Sequence, residues 1–160
     1  MRQIQIYENA DILCGELAEA LPIPASVSEP IYIALSGGST PTLFFEKMTA
    51  IDDPDAFMNT HFYWVDERHV PEDDPESNYG VFRRLLVDTG IVPVENVHPI
   101  KYHPDIHQMT ANYEQELRKH LPFEDGYPLF DEIILGVGED GHTASIFPDR
   151  LDLFETTDIV

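Results

Sequence analysis

The sequence predicts an α/β fold, in which a doubly wound, mainly parallel sheet carries helices on both of its faces. Two observations lead to this prediction. Short, uninterrupted apolar segments, typical of strands that are buried on both faces, alternate with segments whose apolar residues recur at helical spacing. Hydrophobic residues make up 42% of the 160 residues, which is enough to form the core of one domain.

The first predicted strand and helix lie at the amino-terminal end. Residues 3–7 alternate between polar and apolar side chains, as in a strand with one buried face. Asn9 can then cap a helix, which Pro22 and Pro24 would end. The apolar face of this helix would consist of Leu13, Leu17 and Leu21.

Two continuous apolar segments predict buried strands at residues 31–35 and 61–65. After the first strand, Thr40 suits the N-cap of a helix and Pro41 suits its first position. The apolar side of that helix would consist of Leu43, Phe44 and Met48. After the second strand, residues 66–76 form a polar segment, for which we expect a loop.

The remaining elements continue the same alternation. Ser77 can cap a helix that runs to Leu86, and residues 97–100 and 132–135 favour short strands. Residues 105–121 favour a helix, because apolar side chains recur there at four-residue spacing. These side chains are Met109, Tyr113, Leu117 and Leu121.

Strands that alternate with helices indicate a Rossmann-like arrangement of three layers, with residues 1–160 as a single domain. In such a fold, ligands bind beyond the carboxyl ends of the parallel strands. The loops after Leu35, Val65 and Leu135 would leave the sheet at that edge. We therefore expect the functional residues in these three loops.

Composition excludes several classes of partner. The net charge is −21, and Lys and Arg together number only 9, so we expect no binding to nucleic acid or to anionic membranes. No apolar segment approaches the ~20 residues of a spanning helix, and the first residues lack the apolar block of a signal peptide, so we expect a cytoplasmic protein. The single cysteine, Cys14, is expected to be a buried apolar group.

The first loop is rich in glycine and hydroxyl groups. Glycines let the backbone approach a ligand closely, while hydroxyls and the first N–H groups of a helix can bind phosphate oxygens. The alternative is a tight turn from strand to helix, which uses the same residue types. The candidate ligand-binding residues are Ser36, Gly37, Gly38, Ser39 and Thr40.

The second loop begins with the charged residues Asp66, Glu67 and Arg68, followed by His69. The Arg68 guanidinium is a forked donor suited to phosphate or carboxylate, and Asp66 could orient a histidine or accept a proton. An exposed loop closed by its own ion pairs is the alternative.

The third loop contains a GxGxxG pattern at residues 136–141, but Pro148 follows too soon for the helix of a dinucleotide site. Gly138 and Gly141 are instead expected to contact substrate. His142, beside Asp140, suits the role of general base. A histidine that only caps a turn is the alternative.

Other histidines match no standard zinc spacing, although His98, His103 and His107 lie close together in sequence. We therefore expect no metal site.

Taken in order, the motifs SGGSTP, WVDERHVPEDDPESNYG and LGVGEDGHTASIFP resemble the 6-phosphogluconolactonase family, within the superfamily that also holds glucosamine-6-phosphate deaminases. The likeness covers about residues 31–148. It implies hydrolysis of 6-phosphogluconolactone, a sugar phosphate lactone, to 6-phosphogluconate in the oxidative pentose phosphate pathway. It also implies that no metal or organic cofactor takes part.

Within that resemblance we expect His142 to activate water, and either Asp140 or Asp66 to fix its orientation. Arg68, with backbone N–H groups, would stabilise the oxyanion or bind the phosphate. Asn78 would assist the glycine-rich segment in binding substrate.

Two departures from the deaminases favour the lactonases. Deaminases carry a glutamate five residues after the histidine, where this chain has Phe147, and a tyrosine in place of Arg68. A sugar-phosphate-binding module without catalysis remains the non-enzyme alternative. Lactonases usually continue well beyond this histidine loop, so we expect the chain to be incomplete at its carboxyl end, with Arg68 and Lys101 as the nearby cations.

Overall fold

The computed structural model describes residues 3–21 and 29–160. Within these residues, six strands form two sheets. Strands β1, β2, β3 and β6 form a sheet in the order β3-β2-β1-β6, in which every neighbouring pair is parallel, and β4 pairs antiparallel with β5. The strands are β1 Ile31–Leu35, β2 Thr60–Trp64, β3 Val97–His98, β4 Phe123–Glu124, β5 Tyr127–Pro128 and β6 Glu132–Ile134.

In the described part of the chain, four α-helices connect or cover these strands: α1 Ala10–Ala20, α2 Ser39–Met48, α3 Asn78–Phe82 and α4 Ile106–His120. A π-helical turn, Arg83–Val87, continues α3, and short 3₁₀ turns occupy Val94–Asn96 and Leu151–Glu155. Within the described residues, no helix is both long enough and apolar enough to cross a membrane.

The parallel sheet lies between two layers of helices, because alternate side chains of its central strands point to opposite faces. On one face, Ile33 and Phe62 pack in a core that includes residues of α1, α2 and α3. On the other, Ala34 and Tyr63 pack against Tyr113 of α4. The predicted α/β fold, with a parallel sheet between helical layers, is therefore confirmed.

Strand β1 marks the point at which the chain changes direction across the sheet. The connection through α2 leads from β1 to β2 on one side, whereas β6 pairs with β1 on the other side. The loops after β1 and β6 therefore diverge at the carboxyl ends of their strands, which leaves a crevice between them.

Some predictions at the amino-terminal half were wrong. Residues 3–7 do not form a strand, and Ile4 and Ile6 are 79% and 92% exposed. Helix α2 begins at Ser39 with Gly38 as its N-cap, so Thr40 lies within the helix and does not cap it. The predicted helix stops, Pro22 and Pro24, lie outside the described residues.

Other predictions hold with shifted bounds. Ser77 caps α3 by accepting a hydrogen bond from the Gly80 N–H at 2.9 Å. Strand β3 covers two of the four residues expected. Cys14 is fully buried, as predicted, and burial raises the pKa of its thiol.

Candidate active site

A cavity of about 450 Å³ lies at the carboxyl ends of β1 and β6. All three of the predicted functional loops contribute to its wall. Asp140 and Gly141 are the two predicted residues that do not line it. The predicted residues that do are Ser36, Gly37, Gly38, Ser39, Thr40, Asp66, Arg68, Asn78, Gly138 and His142.

His142 and Asp140 form a hydrogen-bonded pair at this cavity. Their Nδ1 and Oδ1 atoms lie 2.5 Å apart, and the His142 backbone N–H donates to the same oxygen at 3.2 Å. These hydrogen bonds from His142 hold the pKa of the Asp140 carboxyl below its usual range. An aspartate beside Nδ1 favours the imidazole tautomer in which Nδ1 carries the proton. The lone pair of Nε2 is then free to accept a proton.

The loop that carries His142 closes on itself through its backbone. The Gly138 N–H donates to the His142 carbonyl at 2.8 Å, and the Gly141 N–H donates to the Gly138 carbonyl at 2.9 Å. Gly141 has a φ of +89°, and Ala144 has a φ of +47°, which is uncommon for a residue with a side chain. The imidazole therefore projects from a tightly defined turn.

Gly138 also makes room for the histidine. A Cβ atom at this position would collide with the imidazole ring of His142 and crowd the Asp140 carboxylate. On another side, the ring of Phe147 stacks on His142 with centroids 4.8 Å apart. The missing side chain at Gly138 and the aromatic ring of Phe147 thus fix where the imidazole lies.

Asp66 has a different partner from the one considered in the sequence analysis. Its carboxylate accepts a hydrogen bond from the Ser145 hydroxyl at 2.7 Å, and its backbone carbonyl accepts one from the Asn78 amide at 3.1 Å. The carboxylate paired with His142 is that of Asp140. Asp66 instead connects the second loop to the third.

The glycine-rich loop is held by the sheet and by α3. The Ser36 hydroxyl donates to the Ile134 carbonyl at 3.1 Å, so this buried group is already engaged within the protein. Gly37 lies against the Asn78 carboxamide so closely that a Cβ atom would overlap with it. Gly38, with a φ of +111°, then turns the chain into α2. Ser39 and Thr40 begin that helix at the cavity wall.

Glu67 organises the second loop, a role that the sequence analysis did not predict. Its Oε1 accepts from the backbone N–H groups of Arg68 and Asn78, both at 2.7 Å. Its Oε2 accepts from the Ser77 hydroxyl at 3.1 Å and the Tyr79 N–H at 2.9 Å. The sequence signal for this role was the position of Glu67, an acidic residue close to the helix that Ser77 caps.

Among the described residues, Arg68 is the cation that lines this cavity. Its exposed side chain lines both the main cavity and an adjoining one of about 230 Å³, which Glu76 and Val81 also line. Its guanidinium makes no salt bridge with any carboxylate in the described part of the chain. Lys101, the other predicted cation, lines a separate cavity beside α4, so the prediction that it serves this site was wrong.

Comparisons with known proteins place the chain in a family. Residues 8–160 match the family model of glucosamine-6-phosphate isomerases/6-phosphogluconolactonase. The chain belongs to this family. It is 44% identical over 146 residues to a 6-phosphogluconolactonase of Haemophilus influenzae, and 34% identical over 155 residues to one of Treponema pallidum.

A solved structure of a family member supports the same assignment. The 6-phosphogluconolactonase of Trypanosoma brucei superposes with a TM-score of 0.80 at 30% identity, covering 98% of this chain and 67% of that one. The alignments with the Haemophilus and Treponema proteins cover 90% and 94% of this chain. The chain spans 61% and 63% of the lengths of those two relatives.

Proposed function

We propose that the chain hydrolyses 6-phosphogluconolactone to 6-phosphogluconate, the reaction of the oxidative pentose phosphate pathway for which its relatives are named. The observation that carries the proposal is that His142, paired with Asp140, lines the same cavity as the glycine-rich loop. A base, a cation and the first residues of α2 are thus available to one small ligand.

In the proposed reaction, Asp140 holds the proton on Nδ1 of His142, and Nε2 accepts a proton from water. The water oxygen attacks the lactone carbonyl carbon, and the carbonyl oxygen becomes an oxyanion. When this intermediate collapses, the bond between the carbonyl carbon and the ring oxygen breaks. His142 then returns the proton to the ring oxygen, so the imidazole ends as it began.

Arg68 is proposed to bind an anionic oxygen of the substrate, either the phosphate or the oxyanion. Its guanidinium has no salt bridge within the described residues, and Arg68 lines both cavities, which supports either position. The N-terminal residues of α2, Ser39 and Thr40, would add backbone and hydroxyl donors. A sugar phosphate is favoured as the ligand because these donors all suit anionic oxygens.

Phe147 supports the lactonase over the deaminase alternative. The deaminases carry a glutamate at this place in the motif, whereas here an aromatic ring stacks on His142. A phenyl group cannot accept or donate a proton. The cytoplasmic location and the absence of nucleic-acid partners stay predictions from the sequence.

The decisive experiment measures hydrolysis of 6-phosphogluconolactone by the 160-residue chain, corrected for the spontaneous reaction of the lactone. We expect His142→Ala to lower the enzymatic rate by about 10²- to 10⁴-fold, because it removes the general base. His107→Ala, on the exposed side of α4, is the matched control and should keep the wild-type rate.

Three results would contradict the proposal. A rate near wild type in His142→Ala would remove the histidine from the mechanism. Turnover of glucosamine 6-phosphate by the wild-type chain would indicate a deaminase. A thermal melt shifted upward by 6-phosphogluconate, with no turnover of the lactone, would indicate a binding module.

A further inference from the structure

A second group of polar side chains lies between β3 and the carboxyl-terminal end of α4. The Nδ1 atom of His98 lies 2.8 Å from Oε1 of Glu116, and Nε2 of His120 lies 3.3 Å from the same oxygen. The rings of His98 and His120 have centroids 4.7 Å apart. One ligand atom from each of these three residues lies within 4.8 Å of the others.

The positions of these residues differ from those the sequence suggested for histidine ligands. His103 and His107 do not join the group, and His98 instead meets two residues one helical turn apart on α4. Glu116 and His120 share one face of the helix because they are separated by four residues. Strand β3 brings His98 to that face.

Two imidazoles and a carboxylate are a common ligand set for zinc. With metal bonds near 2.0 to 2.1 Å, tetrahedral ligand atoms are about 3.3 Å apart. The separation between His120 and Glu116 already has this value, and that between His98 and Glu116 is shorter by half an ångström. The three ligand atoms lie within 4.8 Å of one another, so closing the group around one ion requires rotation of Glu116 and His120, which are both partly exposed.

His61 supplies an outer contact to the buried ligand. Its Nδ1 lies 2.9 Å from Nε2 of His98, on the edge of the ring opposite Glu116. Metal-binding histidines usually donate their second ring N–H to such a partner, which fixes the tautomer and the ring orientation. Tyr63 stacks on the His98 ring at 4.5 Å and restricts its rotation further.

We propose that His98, Glu116 and His120 bind one divalent transition-metal ion of the zinc type, with His61 orienting His98. The metal takes the place of the Nδ1 proton of His98. That ring then carries its proton on Nε2 and donates it to Nδ1 of His61, whose own proton moves to Nε2 through solvent. No net proton is lost in this exchange, since the rings of His98 and His61 stay neutral. His120 binds through the lone pair of Nε2 and carries its proton on Nδ1, and Glu116 binds as the carboxylate.

Some of the surrounding charges favour the binding of a cation, and others oppose it. Glu116 lines a cavity of about 380 Å³, through which an ion and water can reach its side chain. The net charge of −21 favours cations in general. Lys101 and Lys119 line the same cavity and oppose a second positive charge, which limits the affinity. The site lies along β3 and α4, away from the cavity of the proposed reaction at β1 and β6.

The test titrates zinc chloride into the untagged, chelator-treated chain at ~0.15 M salt, where weak binding to scattered carboxylates is screened. Calorimetry should give one saturable site per chain. His120→Gln and Glu116→Gln should each weaken the binding by about 10-fold or more. His107→Gln on the same helix and His142→Gln in the other cavity are controls that should retain it. A melt of each metal-free variant checks that it remains folded.

Nitrogen NMR of the imidazoles in the wild-type chain gives a second measurement that needs no variant. Zinc should move the His98 proton from Nδ1 to Nε2 and reverse the His61 tautomer. Saturable binding that leaves His98 protonated at Nδ1 would overturn the proposal. So would the absence of saturable binding, or binding that His142→Gln removes and His120→Gln does not.

Discussion

Two histidines of this chain each face a carboxylate through Nδ1, yet their surroundings differ. His142 lies in a turn that follows Gly138 and Gly141, with its side chain more than a third exposed, and its Asp140 partner is also exposed. His98 lies on a strand, is buried, and is stacked against Tyr63. The Nε2 atom of His98 meets His61, whereas no hydrogen bond reaches Nε2 of His142 within the described residues.

The difference concerns which ring nitrogen remains available. At His142 the second nitrogen can take part in proton transfer with a molecule in the cavity. At His98 both nitrogens are used inside the protein, and burial lowers the pKa of the ring although its hydrogen bond to Glu116 acts the other way. An imidazole and a carboxylate at hydrogen-bonding distance therefore do not by themselves define a catalytic pair.

After the removal of His142 itself, the largest effect is expected from a variant that changes only the geometry of the exposed pair. Gly138→Ala adds a Cβ that collides with the His142 ring, so the imidazole must move. Because displacement of a catalytic group by about 1 Å can cost about 10²-fold, we expect a loss of lactone turnover of this order. Steady-state kinetics of the variant, with circular dichroism to verify the fold, measure it.

Gly15→Ala is the control, since a Cβ at this helical position meets nothing within 4 Å. It should leave turnover unchanged. If Gly138→Ala also keeps the wild-type rate, the proposed position of the imidazole during catalysis is wrong.

An intermediate effect is expected at the buried pair. Glu116→Gln weakens a charge-assisted hydrogen bond to His98, so the free energy of unfolding of the metal-free chain should fall by about 1 kcal/mol. For a chain of this size the melting temperature should fall by about 2–4 °C. Turnover of the lactone should not change.

The matched variant is Glu114→Gln, which removes a surface pair with Arg118 on the same helix. Exposed pairs of this kind contribute little, so its melting temperature should stay close to that of the wild type. Loss of turnover in Glu116→Gln would show that the two pairs do not act separately.

The smallest effect concerns the acidity of Asp140. Its pKa is lowered by hydrogen bonds from the His142 side chain and backbone, so the pair stabilises the fold above the ordinary aspartate pKa. This stabilisation is lost as the pH falls through the lowered pKa. In His142→Ala the pKa should rise only part of the way, because the backbone N–H remains. Carboxyl carbon NMR over an acid titration measures both values, and equal values would contradict the assignment.

The convergence of the three loops could be predicted because it follows from strand direction. Uninterrupted apolar segments identified β1 and β2, and parallel strands place the following loops at one edge. Ser36, Asp66 and His142 accordingly line one cavity although they lie far apart in the chain. This prediction required only local sequence patterns and the rule that parallel strands end at the same edge of a sheet.

The sequence did not predict which residues contact each other when those residues lie far apart in the chain. The alternation at residues 3–7 indicates two faces but does not supply a neighbouring strand, and no strand pairs with this segment in the described structure. The hydroxyl of Ser145 reaches Asp66 across 79 positions of sequence. Glu116 and His120 were visible as neighbours on a helix, but their meeting with His98 depends on how α4 crosses β3.

A local signal was also overlooked. Asp125 and Gly126 join β4 to β5, and both have positive φ values, of 51° and 91°. An Asp-Gly pair is among the strongest hairpin signals in a sequence, because these residues tolerate the left-handed conformation. The flanking strands are so short that no alternating pattern accompanied the turn.

The turn that carries His142 has one further consequence. Gly138, Gly141 and His142 are joined by backbone hydrogen bonds that use no residue from elsewhere in the chain. The backbone that carries the imidazole is therefore ordered when the chain folds, before any ligand arrives, and association does not carry the entropic cost of ordering it. A motif of this kind is portable: the same few residues could hold a histidine in place at the end of an unrelated strand.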